Sequence, residues 1–146
     1  MNIAICSDHG GYELKMRLIP FIEGMGHEVT DFGCYDERSV DYPDYAFPMA
    51  EAVARGEFER GVAICGTGIG VSICCNKVRG IRCALCGDVL SAELTRRHND
   101  SNILAMGGRI IGPETAKAIT AAWLSTAFDG GRHEGRIAKI SRYENE

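Results

Sequence analysis

The sequence predicts a single three-layer α/β/α domain in which helices cover both faces of a five-stranded parallel sheet. Short apolar segments of strand length alternate with segments of helical periodicity, and the connections between them are short. No linker, repeat or block of charge divides the 146 residues, a length that suits one domain with a substantial core. The expected fold is therefore Rossmann-like over residues 1–146, with a helical tail at the C-terminus.

Five short apolar runs predict the strands, and most of them end at a glycine or another turn-forming residue. They occupy residues 2–6, 27–31, 61–65, 81–86 and 103–106. Ligands of parallel α/β sheets bind beyond the carboxyl ends of the strands. Three polar or glycine-rich loops, at residues 7–11, 66–70 and 107–109, are therefore candidates for a binding site.

Helical spacing and capping residues predict the helices. Tyr12, Leu14, Leu18 and Ile22 recur at helical spacing in the first helix, and Pro20 is expected to kink or break it. The second helix opens at residues 42–44, with a proline near its first turn. The others are expected from the glycine loop to residue 78, from a cap at residue 88 to residue 97 or 98, from residue 112 to about 125, and over residues 132–143.

Composition narrows the class of protein. The net charge is −4 and no basic run occurs, so neither nucleic acid nor an anionic membrane surface is expected as a partner. No apolar stretch approaches the ~20 residues of a membrane span, and the N-terminus does not have the pattern of a signal peptide. In a chain that is not exported, the seven cysteines are expected to remain thiols. We therefore expect a cytoplasmic protein.

The loop Gly66-Thr67-Gly68-Ile69-Gly70 lies between the third strand and a helix. Glycines let such a loop fold tightly, so that backbone N–H groups at the helix start can bind a phosphate or an oxyanion formed during a reaction. The spacing does not fit the dinucleotide-binding fingerprint, and the lysine of a P-loop is absent. Taken alone, the loop is equally consistent with a structural turn.

Cys65 directly precedes this loop, where the helix dipole favours a thiolate. The alternative is a small buried strand residue, which is the commoner role of a cysteine. Cys83 and Cys86 have C-x-x-C spacing, but in a strand these two side chains point to opposite faces of the sheet. The neighbours Cys74 and Cys75 diverge on a helix. We therefore interpret these four cysteines as core packing.

Further polar and charged residues fall near the expected loops and helix ends. They are Asp8 and His9 after the first strand, His98 and Asn99 at the end of the fourth helix, and Arg109 after the fifth strand. Arg132 and Arg136 are four residues apart, so a helical tail would place both on one face. Two guanidinium groups on one face suit an anion, although a solvated surface stripe has the same spacing.

Five short motifs follow one another across the chain: Asp8-His9-Gly10-Gly11, Asp41-Tyr42-Pro43, Cys65-Gly66-Thr67-Gly68-Ile69-Gly70, Arg97-His98-Asn99-Asp100 and Gly130-Gly131-Arg132-His133. Each motif is modest, but the ordered set is specific. Together, over roughly residues 2–140, they resemble the ribose-5-phosphate isomerase B family, which also contains allose-6-phosphate and galactose-6-phosphate isomerases.

The resemblance implies a role for each of these positions. Cys65 matches the base that moves a proton between C1 and C2 of the open-chain sugar. Some members carry a glutamate a few residues later for this task, where this chain has Ser72-Ile73-Cys74. His98 matches the residue that helps to open the furanose ring, and the glycine loop, with Thr67, matches the anion hole for the enediolate. The implied substrate-binding residues are Asp8, His9, Tyr42, Gly66, Gly68, Ile69, Gly70, Asn99, Arg109, Arg132 and Arg136.

Together these features predict a metal-independent isomerase of D-ribose 5-phosphate and D-ribulose 5-phosphate that needs no nucleotide or redox cofactor. An allose- or galactose-6-phosphate isomerase is an alternative in the same class. A phosphate- or nucleotide-binding module without turnover is the alternative from another class. The resemblance also implies a homodimer or a dimer of dimers with shared active sites, and we expect the tail, from about residue 130 to 146, to pack on a partner subunit.

Overall fold

Five parallel strands form the central sheet, in a computed structural model that describes residues 1–146. The strands are β1 (Asn2–Ser7), β2 (Glu28–Asp31), β3 (Arg60–Cys65), β4 (Cys83–Leu85) and β5 (Ile103–Gly107), and they lie side by side in the order β2-β1-β3-β5-β4. The helices are α1 (Tyr12–Gly24), α2 (Pro43–Ala54), α3 (Ile69–Asn76), α4 (Val89–Asn99), α5 (Pro113–Ser125) and α6 (Arg132–Glu144). The predicted fold class is confirmed.

Alternation along the central strands divides the core into two layers. Ile3 and Ile5 of β1 pack with α1, α4 and α5, whereas Ala4 and Cys6 face α2 and α3. β3 and β5 alternate in the same way, so apolar side chains fill both sides of the sheet. Cys65 belongs to the layer under α2 and α3.

Three predicted elements differ from the structure. The helix α1 continues through Pro20 without a break. Pro20 is exposed, so water can solvate the carbonyl that its missing N–H leaves free. The strand β4 is shorter than predicted because the N–H of Arg82 bonds the side-chain oxygen of Asn102, at 2.8 Å, instead of continuing the ladder. The helix α3 ends at Asn76 rather than Val78, where tighter turns replace the α-helical bonds.

The order of the strands creates a crevice between β1 and β3. The chain leaves β1 through α1 on one face of the sheet and leaves β3 through α3 on the other. Connections that diverge in this way leave an opening at the carboxyl ends of the two strands, where ligands of such sheets bind. None of the six helices has the length and apolar character that crossing a bilayer requires.

Candidate active site

The loops after β1, β3 and β5 meet at the carboxyl edge of the sheet, as predicted. Cys65 is the last residue of β3 and pairs in register with Gly107 of β5. The N–H of Gly108 donates to the carbonyl of Cys65 at 2.8 Å, and the N–H of Arg109 donates to the carbonyl of Gly66 at 2.9 Å. Because these bonds continue beyond the strands, the loops that carry the cysteine and the arginine have a fixed relative position.

The thiol of Cys65 is buried and faces the start of α3. The N–H of Gly68 donates to the Cys65 Sγ across 3.2 Å. Gly68 has a φ of +80°, and a Cβ there would lie 2.5 Å from a side-chain carbon of Leu85. Glycine is therefore required at this position both by conformation and by space. The first turn of α3 thus closes over the sulfur atom.

Tyr42 and Thr67 flank the same loop. The aromatic ring of Tyr42 packs on Gly70, where a Cβ would lie 2.7 Å from a ring carbon. The hydroxyl of Thr67 accepts the N–H of Ile69 at 3.2 Å at the first turn of α3, and its side chain is exposed. Thr67 and Ile69 are thus exposed on either side of the buried Gly68, and further backbone N–H groups lie at the helix start.

Asp8 and His9 lie across the crevice from this loop, after β1. Asp8 is buried, and one carboxylate oxygen accepts the N–H of Gly11 at 3.1 Å. The Nδ1 atom of His9 accepts the N–H of Val40 at 3.1 Å, so a neutral His9 carries its proton on Nε2. His9 can therefore donate a hydrogen bond to an anion.

A cavity of about 440 Å³ opens beside these residues, and both His9 and Arg109 line it. The side chain of Arg109 extends over Gly66, since a Cβ on that glycine would lie 3.4 Å from the guanidinium Nη1. Glu13, Arg17 and Glu37 also line the cavity, and they are not among the predicted site residues. Only Glu13 has a position in the sequence that could indicate this, because it lies in the first turn of α1, directly after the loop that follows β1.

The remaining predicted site residues form a second group at the opposite end of the strands. They are His98, Asn99, Arg132 and Arg136. The helix α4 starts beyond the carboxyl end of β4 and runs back along the sheet for 11 residues, or about 16 Å. At its far end the guanidinium of Arg82, just before β4, donates to the carbonyl oxygens of Asn99 and Asp100. His98 and Asn99 therefore lie at the amino ends of the strands, whereas Cys65 lies at their carboxyl ends.

Helix α6 completes this second group. The imidazole rings of His98 and His133 stack, with their centroids 4.5 Å apart and their planes inclined by 16°. Arg132 and Arg136 are exposed nearby on α6. Burial lowers the pKa of His133, and so do the positive charges of its neighbours. In the sequence His133 only ends the motif that starts at Gly130, and no local pattern predicts its contact with His98.

His98, His133 and Asp129 are also the residues best placed to hold a metal ion, since one ligand atom from each lies within 4.8 Å of the others. The local charge opposes this use. The guanidinium of Arg97 bonds both carboxylate oxygens of Asp129, at 3.1 and 3.3 Å. Arg132 and Arg136 add two further positive charges, which disfavour a divalent cation and suit an anion.

The other cysteines occupy structural positions. Cys83 borders the core layer under α2 and α3, whereas Cys86 belongs to the layer under α1, α4 and α5, so the two lie on opposite sides of the sheet as predicted. Burial raises the pKa of Cys86 to about 11. A hydrogen bond with Cys75 and burial raise the pKa of Cys83 well above its usual range. Neither thiol has the ionised character of a redox centre.

Comparison with known proteins places the chain in a family. The family model described as Ribose/Galactose Isomerase matches residues 3–140. Ribose-5-phosphate isomerase B of Escherichia coli is 46% identical, over 98% of this chain and 96% of its own. D-erythrulose-4-phosphate isomerase of Pectobacterium atrosepticum is 41% identical, over 100% and 97%.

Solved structures agree with this placement. The ribose-5-phosphate isomerase B of Clostridium thermocellum superposes with a TM-score of 0.98 at 50% identity, over 99% of this chain and 98% of that one. These relatives are enzymes, which sets aside the alternative of a binding module without turnover. The chain belongs to the ribose/galactose isomerase family, among the ribose-5-phosphate isomerases of type B, and is a sugar-phosphate aldose–ketose isomerase.

Proposed function

We propose that this isomerase interconverts D-ribose 5-phosphate and D-ribulose 5-phosphate, with Cys65 as the base. The observation that carries the proposal is the N–H of Gly68, which donates to the Cys65 Sγ at 3.2 Å beside the crevice between β1 and β3. The thiolate takes the proton from C2 of the open-chain aldose, and the electron pair moves to the carbonyl oxygen. The resulting enediolate regains the proton at C1, while a hydroxyl proton moves from O2 to O1.

The glycine loop stabilises the enediolate. Backbone N–H groups at the start of α3 and the hydroxyl of Thr67 are held in place before the reaction, and a preorganised donor of this kind contributes about 3–4 kcal/mol to transition-state stabilisation. Asp8 and Asn99 bind sugar hydroxyls. Tyr42 lines the pocket through its packing on Gly70, and Ile69 carries one of the loop N–H groups.

Charged residues of both groups bind the phosphate. His9 donates from Nε2 and Arg109 supplies a guanidinium at the same cavity. Arg132 and Arg136 contribute from α6. Binding the phosphate far from C1 and C2 supplies energy that orients the reacting carbons against Cys65.

Two copies of the chain are needed to assemble this site. Cys65 lies at the carboxyl end of the strands and His98 at their amino end, with the length of α4 between the two ends. One molecule of a five-carbon sugar phosphate therefore cannot reach both residues in the same chain. We therefore propose a homodimer, alone or as half of a dimer of dimers, in which one copy contributes Cys65, His9 and Arg109. Its partner contributes His98, Asn99, Arg132 and Arg136, and the tail that includes α6 packs against the first copy.

An apolar surface beside the glycine loop supports the dimer. Ile69, Leu85 and Ile110 surround a second cavity, of about 310 Å³, and each of these side chains is between 44% and 69% exposed. Leu85 lies on β4, an edge strand without a neighbour on its outer side. Exposed apolar residues clustered at an unprotected sheet edge are typical of an interface.

His98 supports a substrate that forms a ring. Ribose 5-phosphate closes a furanose through its O4, which must open before a proton can leave C2. A neutral imidazole can move the proton between the ring oxygen and the hydroxyl. A four-carbon sugar that carries its phosphate on O4 cannot close this ring and gains nothing from such a residue. Allose 6-phosphate and galactose 6-phosphate do form rings, and they remain the alternative substrates within this class.

No step of this mechanism requires a metal, a nucleotide or a redox cofactor, because the enediolate is stabilised by N–H and hydroxyl donors. The seven cysteines, none of them in a disulfide, support a location in the reducing cytoplasm.

The test is formation of ribulose 5-phosphate from ribose 5-phosphate with a chelator present, for the wild type, Cys65→Ala and Cys74→Ala. Cys74 is a buried thiol on the adjacent helix that the mechanism does not use. We expect turnover that survives chelation, is lost in Cys65→Ala and persists in Cys74→Ala, while Cys65→Ala still binds the sugar phosphate. Full activity of Cys65→Ala would exclude it as the base. Faster turnover of D-erythrulose 4-phosphate or of a hexose 6-phosphate would overturn the substrate assignment alone.

A further inference from the structure

His133 is the one buried residue of α6, with 8% of its surface exposed, and its ring covers one face of the His98 imidazole. The two planes are nearly parallel, at 16°, and their centroids are 4.5 Å apart. This separation lies at the lower limit of aromatic contact distances. His98 therefore has a flat wall on one side, which restricts rotation of its ring.

The position of His133 is fixed through contacts with Arg97, the residue before His98. The N–H of Asp129 donates to the carbonyl of Arg97 at 3.0 Å, and the Arg97 Nε returns a bond to the Asp129 carboxylate at 3.1 Å. Four residues later, the N–H of His133 donates to the carbonyl of Gly130. The segment that enters α6 is thus joined to the end of α4 by a backbone bond and a side-chain bond at Arg97, the residue before His98.

We propose that His133 is a positioning residue, which holds the imidazole of His98 in the orientation that ring opening requires. The inference rests on the role proposed for His98. A proton-transfer group works only within a narrow range of distance and angle, and a displacement of about 1 Å can cost a hundredfold in rate. His98 is half-buried at a helix end, and the stacked ring of His133 fixes the plane of its imidazole from one face.

The two directions of the reaction separate this role from a general structural one. Ribose 5-phosphate enters as a furanose and needs ring opening. Ribulose 5-phosphate stays open because its O5 carries the phosphate, so Cys65 can exchange its C1 proton with solvent without His98. Exchange of deuterium from solvent into ribulose 5-phosphate therefore reports on Cys65, the glycine loop and the residues that bind the sugar hydroxyls and the phosphate, and does not depend on ring opening.

The experiment compares His133→Leu, which keeps the apolar volume but not the flat ring, with His133→Phe, which keeps the ring. We expect His133→Leu to lower kcat for ribose 5-phosphate on the order of ten- to a hundredfold. Deuterium exchange into ribulose 5-phosphate, and its KM, should change by less than about twofold in the same variant. His133→Phe should recover most of the lost rate. Thermal unfolding followed by circular dichroism checks that both variants are folded.

A double-mutant cycle with His98→Ala completes the test. If His133 acts through His98, adding His133→Leu to His98→Ala should cause no further loss with ribose 5-phosphate. Equal losses in isomerisation and exchange, full additivity, or failure of His133→Phe to recover the rate would each overturn the proposal. His98→Ala is also the control on the underlying mechanism, because loss of exchange in that variant would refute its role in ring opening whatever His133 does.

Discussion

The N–H of Gly68 donates to the Cys65 Sγ at 3.2 Å, which joins the end of β3 to the first turn of α3 through the sulfur atom. Gly68 makes this bond as the N-cap of α3, and its left-handed backbone, with a φ of +80°, leads the chain from the thiol into the helix. The position of the Cys65 thiol is therefore coupled to the start of α3 through Gly68.

Replacement of Gly68 by alanine should displace the N–H that bonds the Cys65 thiol and lower the activity. The φ of +80° costs about 1–2 kcal/mol for a residue with a Cβ. That Cβ would also lie 2.7 Å from the backbone carbon of Met106, so the loop must shift. Loss of a preorganised donor lowers kcat on the order of a hundredfold or more, and steady-state kinetics would measure it. Gly24→Ala, where the added Cβ meets nothing, should leave the kinetics unchanged.

How far the sequence predicts this site depends on the range of the interactions. The glycine loop and Cys65 were predictable because a strand, a turn and a helix follow one another within a few residues. The stacking of His98 on His133 was not, because it depends on how α6 packs against α4 across 35 positions of chain, and no periodicity encodes that contact. The shortened β4 has a similar cause, in the side chain of Asn102 that captures an N–H of Arg82.

Lys15 is a second case that local pattern did not predict. It lies between the apolar positions of α1 in the sequence, yet it is fully buried and donates to Asp31 at 2.8 Å and to the carbonyl of Cys34. The partners lie 16 and 19 residues away, at the end of β2 and in the loop that follows it. A lysine at the edge of an apolar helix face has no local feature that distinguishes burial from exposure.

We expect Lys15→Met to destabilise the fold by about 3 kcal/mol, because it removes the ammonium group that pairs with the Asp31 carboxylate and donates to the carbonyl of Cys34. The carboxylate then keeps only the N–H of Gly33 as a donor. Equilibrium unfolding in urea would measure the change. The exposed pair of Arg38 and Asp36 provides the control, since Arg38→Met should change the free energy of unfolding by less than about 1 kcal/mol. Equal effects of the two substitutions would show that the buried pair contributes no more than the exposed one.

Stability should also depend on pH through His133. Its pKa in the folded protein lies below the ordinary value of 6.5, so between these two values the unfolded chain binds more protons than the folded one. The contribution of the neutral ring is present above pH 6.5 and is lost as the pH falls below that value. Urea unfolding at about pH 7.5 and about pH 5.5 should show a larger loss for the wild type than for His133→Phe. A smaller loss in the wild type would mean that the folded pKa is raised instead.

Cys65 and His98 lie at opposite ends of the strands in one chain, and this separation leads to a prediction about mixed dimers. Chains with Cys65→Ala and chains with His98→Ala should each have little activity with ribose 5-phosphate. After the two are mixed, unfolded and refolded together, about half of the dimers are mixed, and each has one site with both residues intact. Activity should therefore recover to about a quarter of the wild-type value. Mixing without subunit exchange is the control. If one chain supplied both residues, each mixed dimer would contain two defective sites and no activity would return.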